Sequence, residues 1–251
     1  MTTEVLRSAR RLDVFALEVI SQQSANQDDN YRIFVFAQTV RIYKNFQAVC
    51  KLVECDLNDA AGAVLRGLLE QAYVLNAVSQ DPVALTRLAK ESTAENYKAT
   101  KGLLQIPAER RGADLTVERI QDALKQMGNG SGFNAHDWAA RSGLADSFHT
   151  MYRSLCTYSH GAMGAVTEYL KIDESGTILG IQSNVAGAMA PNFVLTAESI
   201  LLCSIGILTD QTATDVMRTT ISQFETELSM FNDRLCEIPI NAPHRSSIPP
   251  H

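Results

Sequence analysis

Arg153 and His160 stand seven residues apart in the stretch MYRSLCTYSHG (151–161), in a chain of 251 residues that holds five histidines. At 100° per residue, a helical spacing of seven brings two side chains within about 20° of each other on one face. His149, Thr157 and Asp146 fall on that face, with Cys156 at its edge. Leu144, Phe148, Met151, Leu155 and Tyr158 gather on the opposite side and read as the core stripe. Such a pair has a coherent chemistry. Cleaving RNA without a metal needs a base for the 2′-OH proton and an acid for the leaving 5′-oxygen, and an imidazole with a pKa of about 6.5 can fill either role. A guanidinium would hold the scissile phosphate as a bidentate donor that keeps its proton. One histidine per chain fills one of the two roles, so the scheme predicts a homodimer that joins two Arg153/His160 pairs across a two-fold axis. A plainer reading needs no enzyme: His160, next to Gly161 at a helix C-terminus, favours the helix dipole and bonds the last carbonyls.

A second polar constellation lies in AVLRGLLEQAY, where Arg66 and Glu70 are one turn apart, Asp59 and Tyr73 lie near the same line, and Val64, Leu68 and Leu75 face away. Its modest reading is an i,i+4 ion pair worth ~0.2–0.5 kcal/mol. Its sharper reading is a polar cleft in which Arg66, Glu70, Tyr73, His149 and Thr157 support the first pair. That reading predicts that the helices over 57–80 and 144–161 pack together, with Arg66 or Glu70 in reach of Arg153 or His160. His136 and Asp137 precede the single tryptophan, Trp138, and read as a helix start with an aromatic anchor. Ser154, Ser159 and Cys156 lack any nucleophile-elbow context.

Helical periodicity supplies the elements that would position these groups. Residues 3–24 repeat apolar positions at helical spacing, and NQDDN (26–30) breaks and recaps the chain. Residues 31–54 are apolar nearly all round, as a central helix would be. Asp56 or Asn58 can cap the next helix, which runs to about 80, and Pro82 suits the first turn of a fourth reaching about 104. Thr116 can cap a short helix ending at Met127. GNGSGFN (128–134) is a glycine-rich loop without the lysine and flanking strand of a phosphate-cradling loop. After the 144–161 helix, EYLKID and TILGIQS flank a Glu-Ser-Gly turn and predict one small hairpin near 168–183. Helices over 189–209 and 213–236 complete an all-α, single-domain bundle of about seven or eight helices spanning 1–236. The proline-bearing tail 237–251 reads as disordered.

Composition narrows the function classes. With 45% hydrophobic and 20% charged residues, the chain reads as globular. A net charge of −6 argues against general DNA binding, while leaving room for RNA at a local site. The N-terminus lacks a signal-peptide pattern, and the five scattered cysteines read as reduced thiols, so the expected compartment is cytoplasmic. No cysteine or histidine spacing calls for a metal, and no cofactor is expected. FVLTAESILLCSIGIL (193–208) is short for a membrane span and carries Glu198, so it reads as a core helix and no membrane association is expected.

LRGLLEQAYVLNAV, YRSLCTYSHG and KIDESGTILGIQSN together resemble an uncharacterised bacterial family of helical proteins of unknown function. That family shows a Leu-Arg-x-x-x-Glu helix, a later helix ending in a Ser-rich stretch and His, and then a Gly-containing hairpin. The likeness covers roughly residues 30–185. Separately, Arg153-x6-His160 resembles the motif of HEPN ribonucleases, helical bundles that often work as dimeric toxins or antiviral effectors. Ser154 stands where those proteins usually carry Asn, Asp or His. The resemblance implies a metal-independent endoribonuclease acting as a bacterial toxin or defence effector, with His160 as general acid/base and Arg153 as phosphate clamp. Two other readings stand beside it: a non-catalytic helical binding module, and a structural homodimer with a polar seam.

Overall fold

The computed structural model describes residues 1–23, 29–127, 130–159, 166, 168–173, 175–182, 185, 187–210 and 212–236. His160 and the tail 237–251 lie outside the described residues, as does the Gly161 of the capping reading. The long helices follow the periodicity closely: α1 (Thr2–Gln22), α2 (Asn30–Glu54), α3 (Asn58–Gln80), α4 (Ala84–Gly102) and α5 (Val117–Met127). A short α6 (Ala135–Arg141) follows, starting where the His-Asp-Trp stretch predicted a helix start. Next come α7 (Ala145–Ser147), a π-helical turn (Phe148–Tyr152) and α8 (Arg153–Ser159). The strands β1 (Leu170–Ile172) and β2 (Ile178–Ile181) pair antiparallel, and α9 (Ala190–Thr209) and α10 (Asp215–Cys236) close the fold. The fold is all-α with one small hairpin.

Several caps behave as the side chains dictate. Asp29 Oδ1 accepts from the backbone N–H groups of Tyr31 and Arg32, satisfying donors that open α2. Thr116 Oγ1 accepts from the N–H of Arg119 at the start of α5. In the hairpin turn, Asp173 Oδ1 gathers the N–H groups of Ser175 and Thr177, and Gly176 takes a positive φ of 85°. Two expectations need correction. Leu57 occupies the cap position of α3 with no side-chain cap bond, because Asp56 adopts a left-handed φ of 58° and the chain leaves α2 in a tight turn. Pro82 sits in a turn before α4 rather than in its first turn, since Ala84 N–H closes back on the Asp81 carbonyl.

One continuous core runs from Val5 on α1 to Phe231 on α10. α9 lies at its centre, packed on α1, α2, α3 and α10, and α3 in turn carries α6 and α8 on its other side. By length and composition Gly187–Thr209 could cross a membrane, but most of it is buried in the bundle, as a core helix would be. Gly62 lets α8 come close: a Cβ there would meet the Tyr158 ring at 2.7 Å. Inside this core Glu198 is 1% exposed. Neither of its carboxylate oxygens, nor the Ser8 hydroxyl beside it, completes a well-formed hydrogen bond among the described residues. Burial, and then the charge of Glu227, push the Glu198 carboxyl up to about 8, with Arg11 and Ser8 pulling the other way.

Candidate functional site

The helix that carries Arg153 is not uniform. The π-helical turn at Phe148–Tyr152 widens the coil, so every residue after it is rotated from its place in a strict 3.6-residue pattern. Tyr152, the last residue of that turn, falls outside the predicted stripe and is buried at 6% exposure, with Leu155 buried after it. α3 and α8 do pack together, and their polar contact runs through Tyr152. Arg66 Nη2 donates to Tyr152 Oη at 2.7 Å, Tyr152 Oη donates to Glu70 Oε1 at 2.7 Å, and Arg66 Nη2 lies 3.2 Å from the same Glu70 oxygen. Burial, followed by the bond to Glu70, pushes the Tyr152 phenol up to about 12, so it stays a donor at neutral pH. Tyr73 is fully buried, and its hydroxyl meets Ser147 Oγ at 3.0 Å. Arg66, Glu70, Tyr73, Tyr152 and Ser147 are thus an internal clasp between α3 and the α7–α8 segment. Neither Arg66 nor Glu70 pairs with Arg153 among the described residues.

Outside this clasp lies a second layer, facing solvent. The Phe148 ring stacks on Tyr152 at 4.8 Å between centroids and 19° between planes. Around Phe148 stand three groups: the Arg153 guanidinium, 5.9 Å from the ring centroid; His149 at 5.5 Å; and His136 at 5.1 Å. The two imidazoles are 5.6 Å apart. Arg153, His149 and His136 are all exposed, and Arg153 makes no ion pair among the described residues. Thr157 is half-buried further along α8.

α6 delivers His136 to this place, and its anchorage is strong. Asn134 Oδ1 caps it, accepting from the N–H groups of His136 and Asp137. Trp138 is completely buried, and its indole N–H donates to Glu91 Oε2 at 2.6 Å. Arg87 binds Glu91 at 2.5 Å and Asp137 at 3.2 Å, tying α4 to α6. His136 Nδ1 lies 3.7 Å from Asp137 Oδ1. No group of three or more His, Cys, Asp or Glu side chains suited to a metal occurs among the described residues.

The predicted residues therefore divide. Arg153 and His149 share one exposed cluster, Arg66, Glu70 and Tyr73 form the inner clasp, and His160 lies outside the described residues. Sequence reasoning missed Tyr152 and Phe148, which link the two layers, and the place of His136 in the cluster. A tyrosine directly before Arg153 was a usable signal for the first, because a buried phenol needs a polar partner.

A family profile described as a family of unknown function (DUF5677) matches residues 32–178, the segment that holds both layers. The chain belongs to this family. The matched segment runs from the first turn of α2 through β1 to the first residue of β2, so the clasp and the exposed cluster are both contained in DUF5677 sequence. No curated protein and no solved structure matches the chain.

Proposed function

We propose that this protein is a HEPN-like, metal-independent endoribonuclease, working as a homodimer in a bacterial toxin or defence setting. The observation that carries the reading is the exposed cluster around Phe148, a guanidinium without an ion pair among the described residues beside two imidazoles. Arg153 holds the scissile phosphate by paired N–H donors. An imidazole takes the 2′-OH proton as that oxygen attacks phosphorus, and a second imidazole protonates the departing 5′-oxygen. The products are a 2′,3′-cyclic phosphate and a 5′-hydroxyl, with no metal in the step. His160 is the first of these groups, as the Arg-x6-His spacing implies. The second comes from His149 or His136 of the same chain, or from His160 of a two-fold partner. The clasp beneath holds Phe148 and hence the height of Arg153, and leaves Arg66 no part in the chemistry.

The test is cleavage of a labelled single-stranded RNA in EDTA. Cleavage is expected, yielding cyclic-phosphate ends, and it stops where the scissile nucleotide is replaced by its 2′-deoxy analogue. His160→Ala should lose ~10²–10⁴-fold in rate while keeping its helical CD signal. A wild-type protein inert toward RNA would reject the reading, as would cleavage through a 2′-deoxy linkage. A second reading, a non-catalytic binding module, is favoured by a groove between α2, α3 and α4.

A further inference from the structure

Glu70, which the clasp holds through Tyr152, also lines a groove. The groove has a volume of roughly 340 Å³, at the small end of ligand pockets, and α2, α3, α4 and Phe133 form its walls. Its floor is one face of α3: Gly67, Gln71 and Val74. Gly67 explains the depth. A Cβ there meets nothing within 4 Å, so a side chain at this position starts into open space.

Gln71 marks the floor as a binding surface. It is 6% exposed, and its Oε1 has no hydrogen-bond partner among the described residues, although Gln38 is held against it by a bond from Nε2 to the Gln71 carbonyl. A buried acceptor left unmatched carries a desolvation cost that a ligand donor would offset. Beside it the wall is rich in acceptors. Glu70, Glu91 and Glu95 line the groove, while the cations that pair with them, Arg66, Arg87 and Lys98, are not part of its lining. Arg41 is the single cation among the described lining residues, exposed on α2 one turn beyond Gln38 and in no ion pair among them.

We propose that this groove binds a small zwitterion of the free basic amino acid class. Its N–H-rich cationic group meets the Glu70, Gln71 and Glu95 acceptors, and its carboxylate meets Arg41. Carboxylates on both α3 and α4 suit an ammonium or guanidinium better than a neutral donor, because hydrogen bonds between ionised groups are about twice as strong. An anion would find one partner, Arg41, beside the carboxylates of Glu70 and Glu95. A bidentate guanidinium–carboxylate contact at Arg41 then distinguishes the zwitterion from a plain amine.

The test is isothermal titration of the full chain with L-arginine, L-lysine and agmatine, the last lacking the carboxylate. Saturable binding of L-arginine or L-lysine is expected, at least tenfold tighter than agmatine. Gly67→Met should abolish it while leaving the melting temperature equal or higher, because the variant fills space and removes a mid-helix glycine. Arg41→Gln should bring the amino acid down to the affinity of agmatine. The proposal is overturned if neither amino acid binds, if Gly67→Met binds as wild type does, or if agmatine binds as tightly as both amino acids.

Discussion

Arg66 and Arg153 sit about one aromatic layer apart, yet their surroundings assign them opposite work. Arg66 is partly buried and, through Nη2, bonded to Tyr152 and paired with Glu70, so its charge is committed within the chain, while its buried Nε has no hydrogen-bond partner among the described residues. Arg153 lies on the outer side of Phe148, exposed, beside two imidazoles and away from any carboxylate partner among the described residues. A guanidinium whose charge is already paired inside the chain stabilises the fold, whereas an exposed one with no ion pair among the described residues is accessible to an incoming phosphate. The two layers share the Tyr152–Phe148 stack, which makes the inner arginine the foundation for the outer one.

The largest effect expected follows from removing that stack. Tyr152→Ala should destabilise the protein by about 3–5 kcal/mol in chemical denaturation, since it deletes a buried ring together with the hydrogen bonds its hydroxyl makes to Arg66 and Glu70. Arg153→Ala, one residue on, should change stability by no more than about 0.5 kcal/mol. Equal costs for the two would erase the distinction between the layers.

Glu198 sharpens the contrast from the other direction, because it is an ionisable group inside the core without the partner that Arg66 has. Its folded pKa of about 8 is raised above its unfolded value, so its contribution to stability is full at acid pH and is lost as pH rises through 8. The groups facing it are Ser8 and Arg11 on α1, Cys50 on α2 and Glu227 on α10, with Arg11 and Glu227 paired to each other. Glu198→Gln should therefore gain on wild type by on the order of 2–4 kcal/mol between pH 5 and pH 8.5, at up to about 1.4 kcal/mol per pH unit. Denaturation midpoints measured across that range check it, and parallel pH profiles for the two proteins would contradict it. A smaller effect is expected from Arg66→Met, about 1–3 kcal/mol, because Tyr152 keeps its bond to Glu70 when the guanidinium is gone.

The helices were readable from sequence because amphipathic periodicity and capping residues such as Asp29 and Thr116 act locally. The hairpin was readable because Asp173, Ser175 and Gly176 form a turn from their own side chains and backbone. Half of the site was not readable. A π-helical turn has no reliable composition, so uniform 3.6-residue spacing put Tyr152 off the core stripe and made Phe148 plain core rather than a platform. Placing His136 beside His149 depends on how Trp138, Glu91 and Arg87 dock α6 onto α4, a contact spanning 47 residues between Trp138 and Glu91 that no local pattern encodes. The spacing did place Arg153 and His149 on one face, and proximity of α3 to α8 followed from two polar lines opposite apolar ones. The described residue that reaches Arg66 and Glu70 is Tyr152, next to Arg153, while His160, the other expected partner, lies outside the described residues.

The most direct test of the division between the two arginines is to compare Arg66→Lys and Arg153→Lys side by side, measuring RNA cleavage rate and melting temperature on the same preparations. An ammonium keeps the charge but loses the planar, bidentate grip. Arg153→Lys is expected to lose cleavage by about 10²-fold or more with an unchanged melting temperature. Arg66→Lys should lower the melting temperature by several degrees while the folded fraction still cleaves at a rate within a few-fold of wild type. The reverse pattern, with Arg153→Lys active and Arg66→Lys folded but inert, would contradict the account and move the chemistry to the inner clasp.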